Sequence, residues 1–361
     1  MAIQNGETSV SQDRIAQALN QVASNGNDFT NGDPEARQKL IQSARELLNA
    51  AQTPAESLFW HIWARPTGSV AARIAVDLKL FETVVGDDGS PKSIEQLASV
   101  TKASPVLVKR IARTCATMFM LEEKEPGIYV PNDFTRLLAQ PEYAGGILFC
   151  FDFTQLSFAK MPAYLRSTNF QNPEDPVDGP FQYANQHEGP SFTWLKAHPE
   201  VFQAFHGYIH TQRIHTPSWS SAYPVKDRLV DGLKLEGDAS VLVDVGGGVG
   251  ELLQDFHKSV PEYKGRLVLQ ELEEVIGTAK ANGVGEGGRI ELQVHDIFGP
   301  QTIKGARAYF MRSVLHDWPD EQCRKILMNL KDAMEPGYST ILINDHVSAS
   351  LSSYPRIFVK Y

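Results

Sequence analysis

The sequence predicts an α/β fold for the C-terminal part of the chain, a mostly parallel sheet with helices between its strands, preceded by a mainly helical module. Three observations predict it. From about residue 226, "SVLVDVGGGVGELLQDFHKSV", "RLVLQELEEVIGTAK", "RIELQVHDIFG" and "ARAYFMRSVLHDW" alternate short apolar runs with amphipathic stretches. That rhythm builds βαβ units. The first of these segments joins its strand to its helix through a glycine-rich turn, and upstream the apolar spacing is helical almost throughout. The expected division is residues 1–225 as a helical N-terminal dimerisation and substrate domain with a winged-helix unit, and residues 226–361 as the α/β domain.

Taken in order, residues 1 to about 30 are polar and read as loose at the start. "DPEARQKLIQSARELLNAAQ" opens with a helix N-terminal signature at Asp33-Pro34 and continues with helical spacing. "SLFWHIWARPTGSVAARIAVDLKLFETV" is apolar and helical. A short helix from Ser93, a turn near Lys102 to Ser104, a longer helix to about Leu121 and a β wing around "GIYVPN" then make a winged helix-turn-helix. Lys109, Arg110 and Arg113 lie on its second helix, but Glu122, Glu123 and Glu125 follow at once. With a net charge of -9, a helical packing or dimer module is the better reading than a nucleic-acid reader. Residues 140 to 225 read as mainly helical, with a Pro/Asp/Gly-rich loop at "NPEDPVDGP".

The bulk properties narrow the class. A chain of 361 residues, 42% hydrophobic and 21% charged, has the composition and length of a two-domain globular protein. No apolar run approaches the roughly 20 residues of a membrane helix, and the N-terminus lacks a basic-then-apolar signal pattern. Cys115, Cys150 and Cys323 are too far apart for a CxxC metal site or a disulfide framework. The expectation is a cytoplasmic protein with a small-molecule substrate, no metal, no nucleic acid and no membrane.

The glycine turn is the first chemical signal. In "VLVDVGGGVGELL", Gly246, Gly248 and Gly250 follow a strand containing Asp244 and open a helix. Glycine permits positive φ and lets a ligand approach bare backbone. The spacing is GxGxG; a dinucleotide fingerprint would need glycine where Glu251 stands, and the Gly-Lys-Ser/Thr ending of a P-loop is absent. Glu271 ends the next strand, 21 residues beyond Gly250, where an acid accepts ribose hydroxyls. The third strand ends in His295-Asp296-Ile297-Phe298. A carboxylate there suits the exocyclic amino group of adenine, with Ile297 or Phe298 along the ring. S-adenosyl-L-methionine, with adenine and ribose but no pyrophosphate, fits these groups best. The fourth strand runs straight into "SVLHDWPDEQC", which sets His316 at the sheet edge where open α/β folds bind ligands.

"DVGGGVG", "LVLQELEEVI" and "HDIFGPQTIKGARAYFMRSVLHDWPDEQCRKILMNLKDAMEPGYSTILIND" together resemble the fungal branch of the plant-type, metal-independent caffeate/flavonoid O-methyltransferases. The resemblance implies a Rossmann-like S-adenosylmethionine-dependent methyltransferase domain behind a winged-helix dimerisation domain. It also implies a homodimer whose N-terminal helices help to close the partner's substrate pocket. His316 falls on the family's general base, and Gly246, Gly248, Glu271, Asp296 and Arg312 on its cofactor contacts. Glu271 replaces a usual Asp and Arg312 a usual Lys; Asp345 takes the place of an acid, usually Glu, that orients the histidine. Trp194, Phe202, Phe205 and Ile209 are candidate substrate walls. After "LINDHV" the family continues with another helix, two strands and a second acid, whereas this chain runs "SASLSSYPRIFVKY" to Tyr361. Five strands with an open fifth edge, and a domain incomplete at its C-terminal end, are therefore expected. The same resemblance leaves open a pericyclase or dehydratase that retains the cofactor without transferring methyl.

Overall fold

The computed structural model describes residues 11–347 apart from 34, 87 and 215–217, together with the backbone of 356–359. The chain divides into two compact units, one of the residues up to Leu156 with Leu195–Thr211, the other of Ser157–Trp194 with the residues from Gln212 onward.

The first unit opens with a helical hairpin. The start read as loose, residues 1–10, lies outside the described residues; within the polar first 30 residues Gln12–Thr30 form a helix, with Ser11 accepting from Arg14 N at its cap, and it packs on the helix Ala36–Ala51. None of its own residues is buried, so its thin apolar stripe acquires meaning only beside its neighbour. Pro34 lies outside the described residues. Thr53 and Glu56 form a capping box for the helix Pro54–Phe59, which passes through a π-helical stretch, Trp60–Ala64, into Arg65–Asp77.

The winged unit follows. Strand β1, Lys92–Ser93, comes before the helices Ile94–Thr101 and Pro105–Thr117, and strands β2 Glu122–Glu125 and β3 Ile128–Val130 follow them, the three strands forming an antiparallel sheet in the order β1-β3-β2. The second helix stops at Thr117, short of the expected Leu121, because Phe119 turns the chain at φ +59° and drops Leu121 into the core at 2% exposure. Leu80, Phe81, Leu97, Val108, Ala112 and Tyr129 fill that core, each wholly buried. The helices Pro141–Phe149 and Pro199–Ile214 pack closely in the same unit; a Cβ on Gly207 would lie 3.3 Å from the backbone of Glu142.

The second unit is built on a six-stranded sheet, order β6-β5-β4-β7-β8-β9. Its strands are β4 Leu242–Val245, β5 Leu267–Glu271, β6 Ile290–Val294, β7 Ala308–Arg312, β8 Thr340–Val347 and β9 Arg356–Val359. The first five are parallel. Period-two alternation splits their side chains between two cores. Leu242, Leu267, Leu269 and Phe310 meet Trp219 and Phe256 on one face, and Val243, Val268, Tyr309 and Met311 meet Ile326 and Leu330 on the other. The expected count of five strands is corrected: β9 pairs antiparallel with β8, Asn344 opposite Val359, so β8 is not an open edge. The β-branched and aromatic residues of "RIFV" make a strand whose signal is masked by the Ser- and Pro-containing stretch before it. No described helix is long and apolar enough to cross a membrane.

Candidate active site

Strand β4 has β5 on one side and β7 on the other, so the order reverses beside it and a crevice opens at the C-terminal strand ends. The turn after β4 is shaped for it. Gly246, Gly248 and Gly250 have φ of +70°, +61° and +81°, a region that disfavours any side chain. Gly246 N donates to Gln270 O at 2.9 Å, and a Cβ on Gly246 would sit 3.1 Å from Val314 in the turn after β7. Gly247 rides directly over the buried Asp244, where a Cβ would fall 2.4 Å from the carboxyl carbon. This chain therefore presents bare backbone at the crevice, with no room for a side chain that would block it.

The neighbouring strand ends face the same turn. Glu271 Oε1 accepts from Gly248 N at 3.1 Å and Oε2 from Leu272 N at 2.8 Å. Burial raises the Glu271 carboxyl above its ordinary range, and the two backbone donors offset this only in part. His295 N extends the ladder to Glu271 O at 2.9 Å, while the buried His295 ring is held below its usual pKa. Asp296 is exposed and accepts from Phe298 N at 2.9 Å on Oδ1. Phe298 stands edge-on to Trp318 at 4.7 Å, and Asn329 Nδ2 donates to Ile297 O at 3.3 Å. The loop after β6 thus reaches the turn after β7.

That turn carries His316. Arg312 ends β7 half-buried, and burial lowers its guanidinium pKa against the opposing pull of the Asp244 charge. Ser313 follows at φ +52°, its N–H donating to Asn344 O at 3.1 Å. A non-glycine residue in this region stores strain that the surrounding bonds must hold. Leu315–Asp317 form one 3-10 turn. His316 Nδ1 lies 2.7 Å from Asp345 Oδ1 of β8, and Nε2 lies 3.3 Å from Asp317 Oδ1. The Asp345 side chain is 13% exposed and that of His316 41%, so the ring has one packed side and one open side. Cys323 Sγ donates to Leu315 O and Trp318 O, 3.2 Å each, and braces the turn from the following helix, Asp320–Lys331.

The structure therefore brings Asp244, Gly246, Gly248, Glu271, Asp296, Ile297, Arg312, His316 and Asp345 to the C-terminal edge of one sheet. Trp194 packs edge-on to Phe181 at 5.7 Å in the second unit. Phe202, Phe205 and Ile209 belong to the first, where Phe205 tilts against Phe149 at 5.1 Å and Phe202 stands edge-on to His206 at 4.6 Å. Sequence reasoning missed Ser313, Asp317 and Cys323. All three lie within the quoted "SVLHDWPDEQC", but their bonds to β8, the ring and the turn are tertiary.

Residues 212–356 match the O-methyltransferase domain family and residues 67–141 the O-methyltransferase dimerisation domain. The chain is 34% identical to the O-methyltransferase mpaG of Penicillium brevicompactum over 335 residues, covering 92% of this chain and 83% of that one. It is 32% identical to the O-methyltransferase mfmE of Annulohypoxylon moriforme over 98% of this chain and 85% of that one. Among solved structures, LepI in complex with S-adenosylmethionine superposes with a TM-score of 0.81 at 27% identity, over 95% of this chain and 86% of that one. OxaC, solved with sinefungin and meleagrin, shares the fold with a TM-score of 0.81 at 22% identity, over 95% and 86% of the two chains. The chain belongs to the plant-type, S-adenosylmethionine-dependent O-methyltransferase family.

Proposed function

We propose that this enzyme methylates a hydroxyl of a small aromatic or polyketide-type secondary metabolite, with His316 as general base. The observation that carries the proposal is the 2.7 Å contact of His316 Nδ1 with Asp345, set on the same sheet edge as Glu271 and the glycine turn. When bound, S-adenosylmethionine supplies a methyl group on a sulfonium, open to in-line displacement. The residues present fit it: Glu271 to accept from the ribose hydroxyls, Asp296 from the adenine amino group, Arg312 to face the carboxylate.

The chain's own task is the proton. With Nδ1–H donated to Asp345, the Nε2 lone pair of His316 is available to the acceptor hydroxyl. A phenol titrates near 10 and a free imidazole near 6.5, so complete transfer before attack would cost about 5 kcal/mol. His316 therefore takes the proton as the new O–C bond forms. Asp345 fixes the tautomer and stabilises the imidazolium. Holding acceptor and methyl donor in line supplies much of the remaining acceleration.

A second reading is favoured by two observations, the half-buried cation Arg312 and the 26% identity to a solved structure described as "A Pericyclic Reaction enzyme". There Arg312 would polarise a substrate carbonyl without methyl transfer. Incubation with labelled cofactor and a panel of phenolic acceptors, read by mass spectrometry, separates the two. Methylated product lost by ~10²–10⁴-fold in His316→Ala supports the first; methylation that survives the change removes His316 as base. Isomerised product with unconsumed cofactor selects the second.

A further inference from the structure

Behind the cofactor edge, on the opposite side of β5 from Glu271, lies a buried cluster of amides. Gln270, one residue before Glu271, is wholly buried, and Gln301 is 1% exposed. Gln270 Nε2 donates to Gln301 Oε1 at 2.8 Å and Gln301 Nε2 donates back to Gln270 Oε1 at 2.8 Å. The second Gln270 proton goes to Gln293 Oε1 at 2.6 Å, on the β6 residue directly in register. Gln301 Oε1 also accepts from Ile303 N at 3.0 Å, and Thr302 Oγ1 donates to Gln293 Oε1 at 3.3 Å. Buried amides are unfavourable unless their partners are complete, and an apolar side chain would fill this space without that demand.

What the amides tie together is specific. Gln293 precedes Asp296 by three residues and Gln301 follows it by five, so the cluster staples both ends of the loop carrying Asp296, Ile297 and Phe298. Asp296 itself is exposed and braced from within that loop, by Phe298 N. Its position is therefore set by the loop's position.

We propose that the Gln270–Gln301 clasp is a positioning device for purine recognition, holding Asp296 where its carboxylate meets an exocyclic amino donor and repels a 6-oxo group. The proposal rests on the reading of Asp296 as the adenine contact. Discrimination of this kind needs both an attractive and a repulsive element held in place. The test is titration calorimetry of the full chain with S-adenosylhomocysteine and with S-inosylhomocysteine, the analogue with an oxygen in place of the amino group. The wild type is expected to prefer the adenine ligand on the order of 10²-fold. Gln301→Met is expected to reduce that preference at least tenfold. Gln301→Glu, which keeps the shape and acceptor but loses the donor to Gln270, serves if the methionine variant does not fold and should fall in between.

A merely structural clasp would lower the melting temperature and leave the ratio of the two affinities unmoved. An unchanged ratio in the folded Gln301 variants, with the preference abolished in Asp296→Ala, overturns the clasp and leaves the adenine contact standing. A wild type that does not discriminate, or an Asp296→Ala that still does, overturns both.

Discussion

The imidazole of His316 has a carboxylate near each nitrogen, Asp345 at 2.7 Å and Asp317 at 3.3 Å. Only Asp345 is largely packed away from solvent, so it is the partner able to fix the ring. Asp345→Asn is expected to lower kcat on the order of 10²-fold while leaving the dissociation constant for S-adenosylhomocysteine within about threefold, measured by calorimetry. A parallel loss of affinity would mean that Asp345 holds the site together and has no distinct role at the ring. Glu271 gives a pH signature. Because burial favours its neutral form, the folded protein takes up this proton at higher pH than the unfolded chain does. Stability from this group therefore increases as pH falls through that window, and affinity for ribose hydroxyls, which need the carboxylate, declines. The dissociation constant for S-adenosylhomocysteine should rise by up to about tenfold per pH unit below the Glu271 midpoint, and Glu271→Gln should flatten the profile. Constant affinity well into the range where ordinary carboxylates titrate would contradict this assignment. His316, Glu271 and Asp296 were legible because an apolar run that stops at a polar residue marks a strand end. Cys323, Ser313 and the Gln270–Gln301 pair were not, because nothing in a linear pattern says which carbonyl or amide a side chain will meet.

At the scale of elements, strands β4 to β8 could be read from their short apolar runs, and β4, β5 and β7 most plainly, since they are buried on both faces. Helix Gln12–Thr30 and strand β9 could not: the first buries no residue of its own, and the second directly follows a Ser- and Pro-containing stretch. Their order comes from the neighbour each pairs with. The glycine turn was legible in kind but not in detail. Gly247, which the GxGxG spacing passes over, is the tightest of its positions, with a Cβ 2.4 Å from Asp244 and 2.7 Å from Leu269. Gly247→Ala is expected to destabilise the protein by about 2 kcal/mol or more and to weaken cofactor binding. Gly277→Ala, in the helix Glu273–Ala281 with nothing within 4 Å of the added methyl, should stabilise by roughly 0.5–1 kcal/mol. Chemical denaturation of the two variants checks both signs; a Gly247→Ala midpoint equal to wild type would show that the turn has slack.

For the whole molecule, the winged unit lies within the dimerisation-domain match at residues 67–141. Beside it, Leu58, Phe59, Ile62 and Trp63 are each more than half exposed, an apolar concentration typical of an association surface. Sedimentation equilibrium is expected to give twice the 40.0 kDa chain mass, shifted towards the single chain by Trp63→Glu. A wild-type monomer at micromolar concentration would exclude a stable homodimer.

A crystal structure of the full chain with S-adenosylhomocysteine would decide whether successive strand ends form one adenosyl site beside a histidine able to take a proton. Ribose hydroxyls are expected on Glu271, the adenine amino group on Asp296, and the sulfur turned towards the open side of the His316 ring. Ligand density away from the glycine turn, or a sulfur facing away from His316, would contradict this arrangement.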